Sequence, residues 1–133
     1  MVNTAVPVEL LVCIKCKRGT DVSEDGERPG TALFESLLSR NMPDGVTLTA
    51  VECLQNCESG CSVAMRGGAD RWTYVYGNLH EASDTDLLID GVALYRDTND
   101  GLIPWRQRPE HFKRNCIARI PPLRPAAPKL TDL

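Results

Sequence analysis

Residues 8 to 13, Val-Glu-Leu-Leu-Val-Cys, are apolar at every position but one. A short run of this kind predicts a central strand buried on both faces. From Lys17 to Gly30 the chain is charged and contains glycine without any hydrophobic period, which predicts a loop. Leu33, Phe34, Leu37 and Leu38 then recur at helical spacing behind Thr31, an N-cap residue type, and Asn41-Met42-Pro43 closes the helix. Val46, Leu48 and Ala50 alternate with polar neighbours, so Gly45 to Val51 reads as a second strand leading straight into Cys53.

Farther along, Ser62 to Arg66 and Arg71 to Tyr76 flank Gly67-Gly68-Ala69-Asp70, a hairpin pattern whose second strand is rich in β-formers. Trp72, Tyr74 and Tyr76 alternate on that strand and form one packing face. Ser83 and Asp86 signal the start of a second helix that carries Leu88, Val92 and Tyr95, and Asn99-Asp100-Gly101 stops it. Gly91 inside this helix costs about 1 kcal/mol against alanine. The element order is βαβββα. After Leu102, the prolines at 104, 109, 121, 122, 125 and 128 leave room for one short helix, about Pro109 to Cys116, followed by an extended tail. The expected division is therefore a domain over residues 1–100 and a C-terminal extension over 101–133.

With 133 residues, 42% hydrophobic and 25% charged, the chain has the size and composition of one globular unit. It contains no apolar run of the roughly 18 residues that a membrane span requires, and Met1 to Val12 lacks the basic and apolar regions of a secretory signal. A cytoplasmic protein is expected. The net charge of −3 conceals a polarity: residues 1–95 carry seven Lys/Arg against fourteen Asp/Glu, and residues 96–133 carry eight against four. An acidic core argues against nucleic acid as the partner.

Six cysteines beside two histidines change the picture further. In a reducing compartment that count indicates metal or thiol chemistry rather than a disulfide framework. Five of the cysteines fall in two groups, Cys13-Ile-Lys-Cys16 and Cys53-Leu-Gln-Asn-Cys57-Glu-Ser-Gly-Cys61, each following a predicted strand. If those strands are neighbours in one sheet, four thiolates converge at one edge. Such a group repels itself unless a cation or cluster neutralises it, and four sulfurs suit zinc or iron-sulfur. A lone C-x-x-C is often a half-buried thiol pair, and C-x3-C-x3-C can be core filler on a helix; two groups at two strand ends make that account the weaker one. Cys116 follows Phe112 by four residues and is expected in the short C-terminal helix as a small hydrophobe. His80 and His111 have no ligand spacing to any cysteine and are expected at the surface.

The segment from Glu52 through Cys53-Leu54-Gln55-Asn56-Cys57 to Val63, followed by Arg71-Trp72-Thr73-Tyr74 and an amphipathic helix, resembles the second half of thioredoxin-like [2Fe-2S] ferredoxins. The small subunit of respiratory complex I is similar. More narrowly, the chain resembles a family of small bacterial proteins of unknown function described as predicted metal-binding and often found near cobalamin-related genes. Its recurrent D-G-x-I-P and R-I-P-P stand here as Asp100-Gly101-Leu102-Ile103-Pro104 and Arg119-Ile120-Pro121-Pro122. The ferredoxin resemblance covers residues 8–95, and the narrower one covers most of the chain.

These resemblances imply an α/β, thioredoxin-like βαβββα core with a Pro-rich C-terminal extension. They imply a [2Fe-2S] cluster held by Cys13, Cys16, Cys53 and Cys57, in a one-electron carrier that serves a reductase or biosynthetic enzyme, cobalamin-related in the narrower case. Two departures stand out. Ferredoxins of this type separate their first two ligands by four or more residues, whereas Cys13 and Cys16 are separated by two, and Cys61 stands where proline is usual. Cys61 is then a bystander, an alternative ligand or a resolving thiol. Two other functions use the same residues: a zinc-binding module, and a thiol-disulfide oxidoreductase with Cys13 attacking and Cys16 resolving. Against the oxidoreductase, the predicted loop after Cys16 offers no helix N-terminus to lower the thiol pKa. The acidic core predicts a redox partner with a basic docking face. The tail from Pro121 is expected to lie as an extended arm on the core or on a second copy of the chain in a homodimer.

Overall fold

The computed structural model describes residues 6–15, 28–54 and 61–123. Five strands, β1 (Val8–Cys13), β2 (Val46–Val51), β3 (Val63–Arg66), β4 (Thr73–Tyr76) and β5 (Cys116–Ile120), form one sheet in the order β2-β1-β3-β4-β5. Strands β1 and β2 run parallel, with Cys13 opposite Val51; every other pairing is antiparallel. The helices are α1 (Pro29–Leu38), α2 (Thr85–Arg96) and the short α3 (Glu110–Arg114), which follows a 3-10 turn at Trp105–Gln107.

Alternation along the strands decides which face the helices cover. Val8, Leu10 and Val12 of β1, Val63 and Met65 of β3, and Tyr74 and Tyr76 of β4 form a single buried cluster with Leu33 and Leu37 of α1, Leu88, Val92 and Tyr95 of α2, and Phe112 of α3. Tyr74 and Tyr76 stack, and Tyr76 stacks on Phe112 with ring centroids 4.0 Å apart, which bears out the packing face expected of the alternating aromatics. The βαβββα order appears in full, with strand ends within two residues of those predicted.

Three local expectations are corrected. Thr31 is not an N-cap: α1 begins two residues earlier, at Pro29, where a missing N–H costs nothing. The short helix ends at Arg114, so Cys116 is not helical filler; it opens β5 and is exposed. The residues after it pair with β4, Thr73 facing Ile120, where the sequence pattern suggested only an extended tail. Ile117 is the bulged residue between the paired Cys116 and Ala118, and a bulge hides the alternation by which a strand is recognised.

The two family motifs have structural roles. Gly101 sits at φ +80°, and a Cβ there would lie 2.8 Å from the Trp72 carbonyl oxygen, so only glycine fits. The neighbouring Asp100 accepts the Trp72 N–H at its backbone oxygen (2.7 Å) and the Leu102 N–H at its carboxylate (2.9 Å), while Ile103 is buried in the core. Arg119-Ile120 ends β5, and Pro121-Pro122 prevents its continuation. Arg71 is almost wholly buried and donates to the carbonyl oxygens of Val6, Arg96 and Thr98, fastening the hairpin to the C-terminal end of α2 and to the chain before β1.

Candidate metal centre

The parallel pairing of β1 with β2 brings two of the four predicted ligands to one place. Cys13 is the last residue of β1, and Cys53 lies two residues past the end of β2, so both residues lie at the same end of the β1–β2 pair. The Cys13 thiol is buried and donates to the carbonyl oxygen of Glu52, 3.6 Å away, the residue directly before Cys53; Cys53 itself is exposed. Thiolates are donors that suit a soft metal or an iron-sulfur cluster. Cys16 and Cys57 lie outside the described residues, and among the described residues no group of three or more His, Cys, Asp and Glu could hold a metal ion.

The backbone after Cys13 is held on several sides. The Cys13 N–H donates to Ser62 O (3.1 Å) and the Ile14 N–H to Val51 O (2.9 Å), carrying the strand pairing one residue past each end. Thr31 Oγ1 donates to Ile14 O at 2.9 Å, and Arg28 Nη1 donates to Lys15 O at 2.8 Å. The start of α1 therefore grips the Ile14-Lys15 turn that separates Cys13 from Cys16. Neither role is legible in the sequence, where Thr31 reads as a local cap and Arg28 as part of a charged loop. The available signal was the N-terminus of the predicted helix, but its contact with a turn 13 or more residues away is a tertiary matter.

Of the other two described cysteines, Cys61 shares the buried cluster with Cys13 and Cys116 lies apart. Cys61 is fully buried within the hydrophobic cluster, and its backbone N–H and C=O both bond with Leu79 (3.2 Å each). Cys116 lies on β5, at the far edge of the sheet from β2; partial desolvation raises its thiol pKa although the residue as a whole is exposed, and the charges of Arg108 and Arg119 only reduce that rise. His80 is exposed and its Nδ1 accepts the Ala82 N–H at 3.1 Å. His111 is half-buried, not a surface residue; its Nε2 lies 3.0 Å from Asn78 O and its Nδ1 is enclosed without a partner among the described residues. Among the described residues no helix is long and apolar enough to cross a membrane.

Comparison with known proteins bears on this arrangement. Two solved structures of a thioredoxin-like [2Fe-2S] ferredoxin from Aquifex aeolicus superpose on the chain, the wild-type one with a TM-score of 0.53 at 16% identity, covering 84% of this chain and 97% of the ferredoxin. The other gives a TM-score of 0.54 at 16% identity, covering 87% of this chain and 96% of the ferredoxin. That likeness shows the thioredoxin-like fold, as the resemblance implied. No curated protein matches the chain. A family model described as "Protein of unknown function (DUF1636)" matches residues 10–122. The chain belongs to that family.

Proposed function

We propose that the chain is an iron-sulfur electron carrier in which Cys13, Cys16, Cys53 and Cys57 hold a [2Fe-2S] cluster. The observation that carries this reading is the placement of Cys13 and Cys53 at the same end of the parallel β1–β2 pair, in a chain whose fold is that of proteins named as [2Fe-2S] ferredoxins. Such a cluster, when bound, accepts and releases one electron. The chain's own part is to hold the thiolates and shape their surroundings. Thr31 and Arg28 fix the turn between the first two cysteines, the start of α1 favours negative charge beside that turn, and the burial of Cys13 keeps one side dry. Cys61, which stands where the ferredoxin pattern has proline, is assigned no ligand role.

The same reading places the chain in the reducing cytoplasm, where thiolates persist, and gives it a redox partner with a basic face rather than a small-molecule substrate. Purification without oxygen tests it. A red-brown protein with equal iron and acid-labile sulfide is expected, and reduction should produce the electron paramagnetic resonance signal of a mixed-valence iron pair. Stoichiometric zinc without sulfide, from cells grown with ample iron, would make the site a zinc module instead.

A further inference from the structure

A second surface is built at the opposite edge of the sheet. Residues 101–123 carry five Lys/Arg and a single carboxylate, Glu110. Three of these cations lie over aromatic rings: Arg119 over Trp72 at 4.8 Å, Arg108 over Tyr74 at 5.8 Å and Trp105 at 5.4 Å, and Lys113 over Trp105 at 5.3 Å, while Arg106 and Arg114 are exposed outside the stack. Glu110 is taken up by Arg114 (2.9 Å) and Lys113 (3.9 Å). Arg106, Arg108 and Arg119 have no carboxylate partner among the described residues. Beside them runs β5, an edge strand exposed at all five residues, on which Ile117 and Ile120 are 43% and 53% exposed.

We infer that this edge docks an extended acidic peptide segment of a partner protein, added to β5 as a further strand. The free side of an edge strand offers alternating N–H and C=O groups that a peptide backbone satisfies. Guanidinium groups already ordered on aromatic rings bind carboxylates with little further loss of freedom. Apolar side chains at alternate peptide positions would lie on the Ile120 face of the strand and the intervening acidic ones on the Arg119 face. A second copy of the chain is disfavoured as occupant, because pairing β5 with itself sets two basic edges against each other. Nucleic acid is disfavoured because the rings that could stack on bases are engaged: Tyr74 is buried, Trp72 lies under Arg119, and Trp105 is flanked by Arg108 and Lys113. This surface is independent of the cluster, so its failure and that of the electron-carrier reading are separate results.

The test is fluorescence anisotropy on the full chain with a short labelled peptide of alternating Glu and Val. Parallel titrations use the matching Lys-Val peptide and a thymidine oligonucleotide. Saturable binding of the acidic peptide alone is expected, weakened about tenfold or more by Arg108→Glu with Arg119→Glu. Should that variant fail to fold, hydrogen exchange on the unaltered protein decides: the acidic peptide should slow the amides of Ala118 to Ile120. Failure of the acidic peptide to bind, equal binding of the basic peptide, tighter binding of the oligonucleotide, unchanged exchange in β5, or displacement of the peptide by self-association of the chain would each overturn the proposal.

Discussion

At the scale of single residues, the cysteines divide by environment rather than by spacing. Cys53, Cys57 and Cys61 look equivalent in the repeated interval of four, yet Cys61 packs with Cys13 in the hydrophobic cluster while Cys53 is exposed. Serine at Cys13, Cys16, Cys53 or Cys57 should therefore abolish bound iron, since an alkoxide is a poor replacement for a soft thiolate. Cys61→Ala should keep the iron and lose about 1 kcal/mol of stability; iron content and urea midpoints of the five variants check both statements. Tyr95 supplies a pH-dependent case. Its hydroxyl donates to the Trp72 carbonyl oxygen, and burial raises its pKa, opposed by the Arg71 charge and reinforced by Tyr74. The unfolded chain then loses this proton first, so the contribution is intact below the ordinary tyrosine value of about 10 and declines as the pH rises above it. Tyr95→Phe should cost about 1 kcal/mol at neutral pH and make the alkaline loss of stability shallower, as urea midpoints across a pH series will show. Tyr76, raised mainly by burial as well, keeps part of the slope.

At the scale of elements, α2 shows how packing reverses a propensity argument. Gly91 lies inside the helix, where alanine would ordinarily gain about 1 kcal/mol. A Cβ at this position would stand 2.3 and 2.4 Å from two ring atoms of Phe112, which joins α3 to the core. Gly91→Ala should thus destabilise the protein by about 1–3 kcal/mol through overpacking. Adding Phe112→Leu should recover part of that loss, a non-additivity that a double-mutant cycle in urea measures directly. The two short elements after α2 follow from the same contact: Phe112 anchors α3, and the chain beyond it is delivered to β4 as the fifth strand.

Across the whole molecule, charge and chemistry are distributed along the sheet. The cysteine edge belongs to the part of the chain that carries the acidic excess, fourteen Asp/Glu against seven Lys/Arg in residues 1–95, and the basic excess lies in the segment that completes the opposite edge. Electron transfer from a reductase with a basic docking face should slow as salt rises, because steering is screened beyond about 8 Å at physiological ionic strength. Stopped-flow reduction over a range of ionic strength checks this; a rate indifferent to salt would remove the acidic core from partner recognition. The order βαβββα, the strand that ends at Cys13 and the strand that leads into Cys53 are legible in the amino-acid pattern alone. Those features are written in local periodicity and in spacings of a few residues, which the backbone reads directly. Packing between distant segments is what makes Thr31 and Arg28 hold the turn after Cys13, buries Cys61 in the core, sets Gly91 against Phe112 and turns residues 116–120 into a fifth strand. Each of these depends on contacts between segments far apart in the chain, whose register and burial no local pattern encodes.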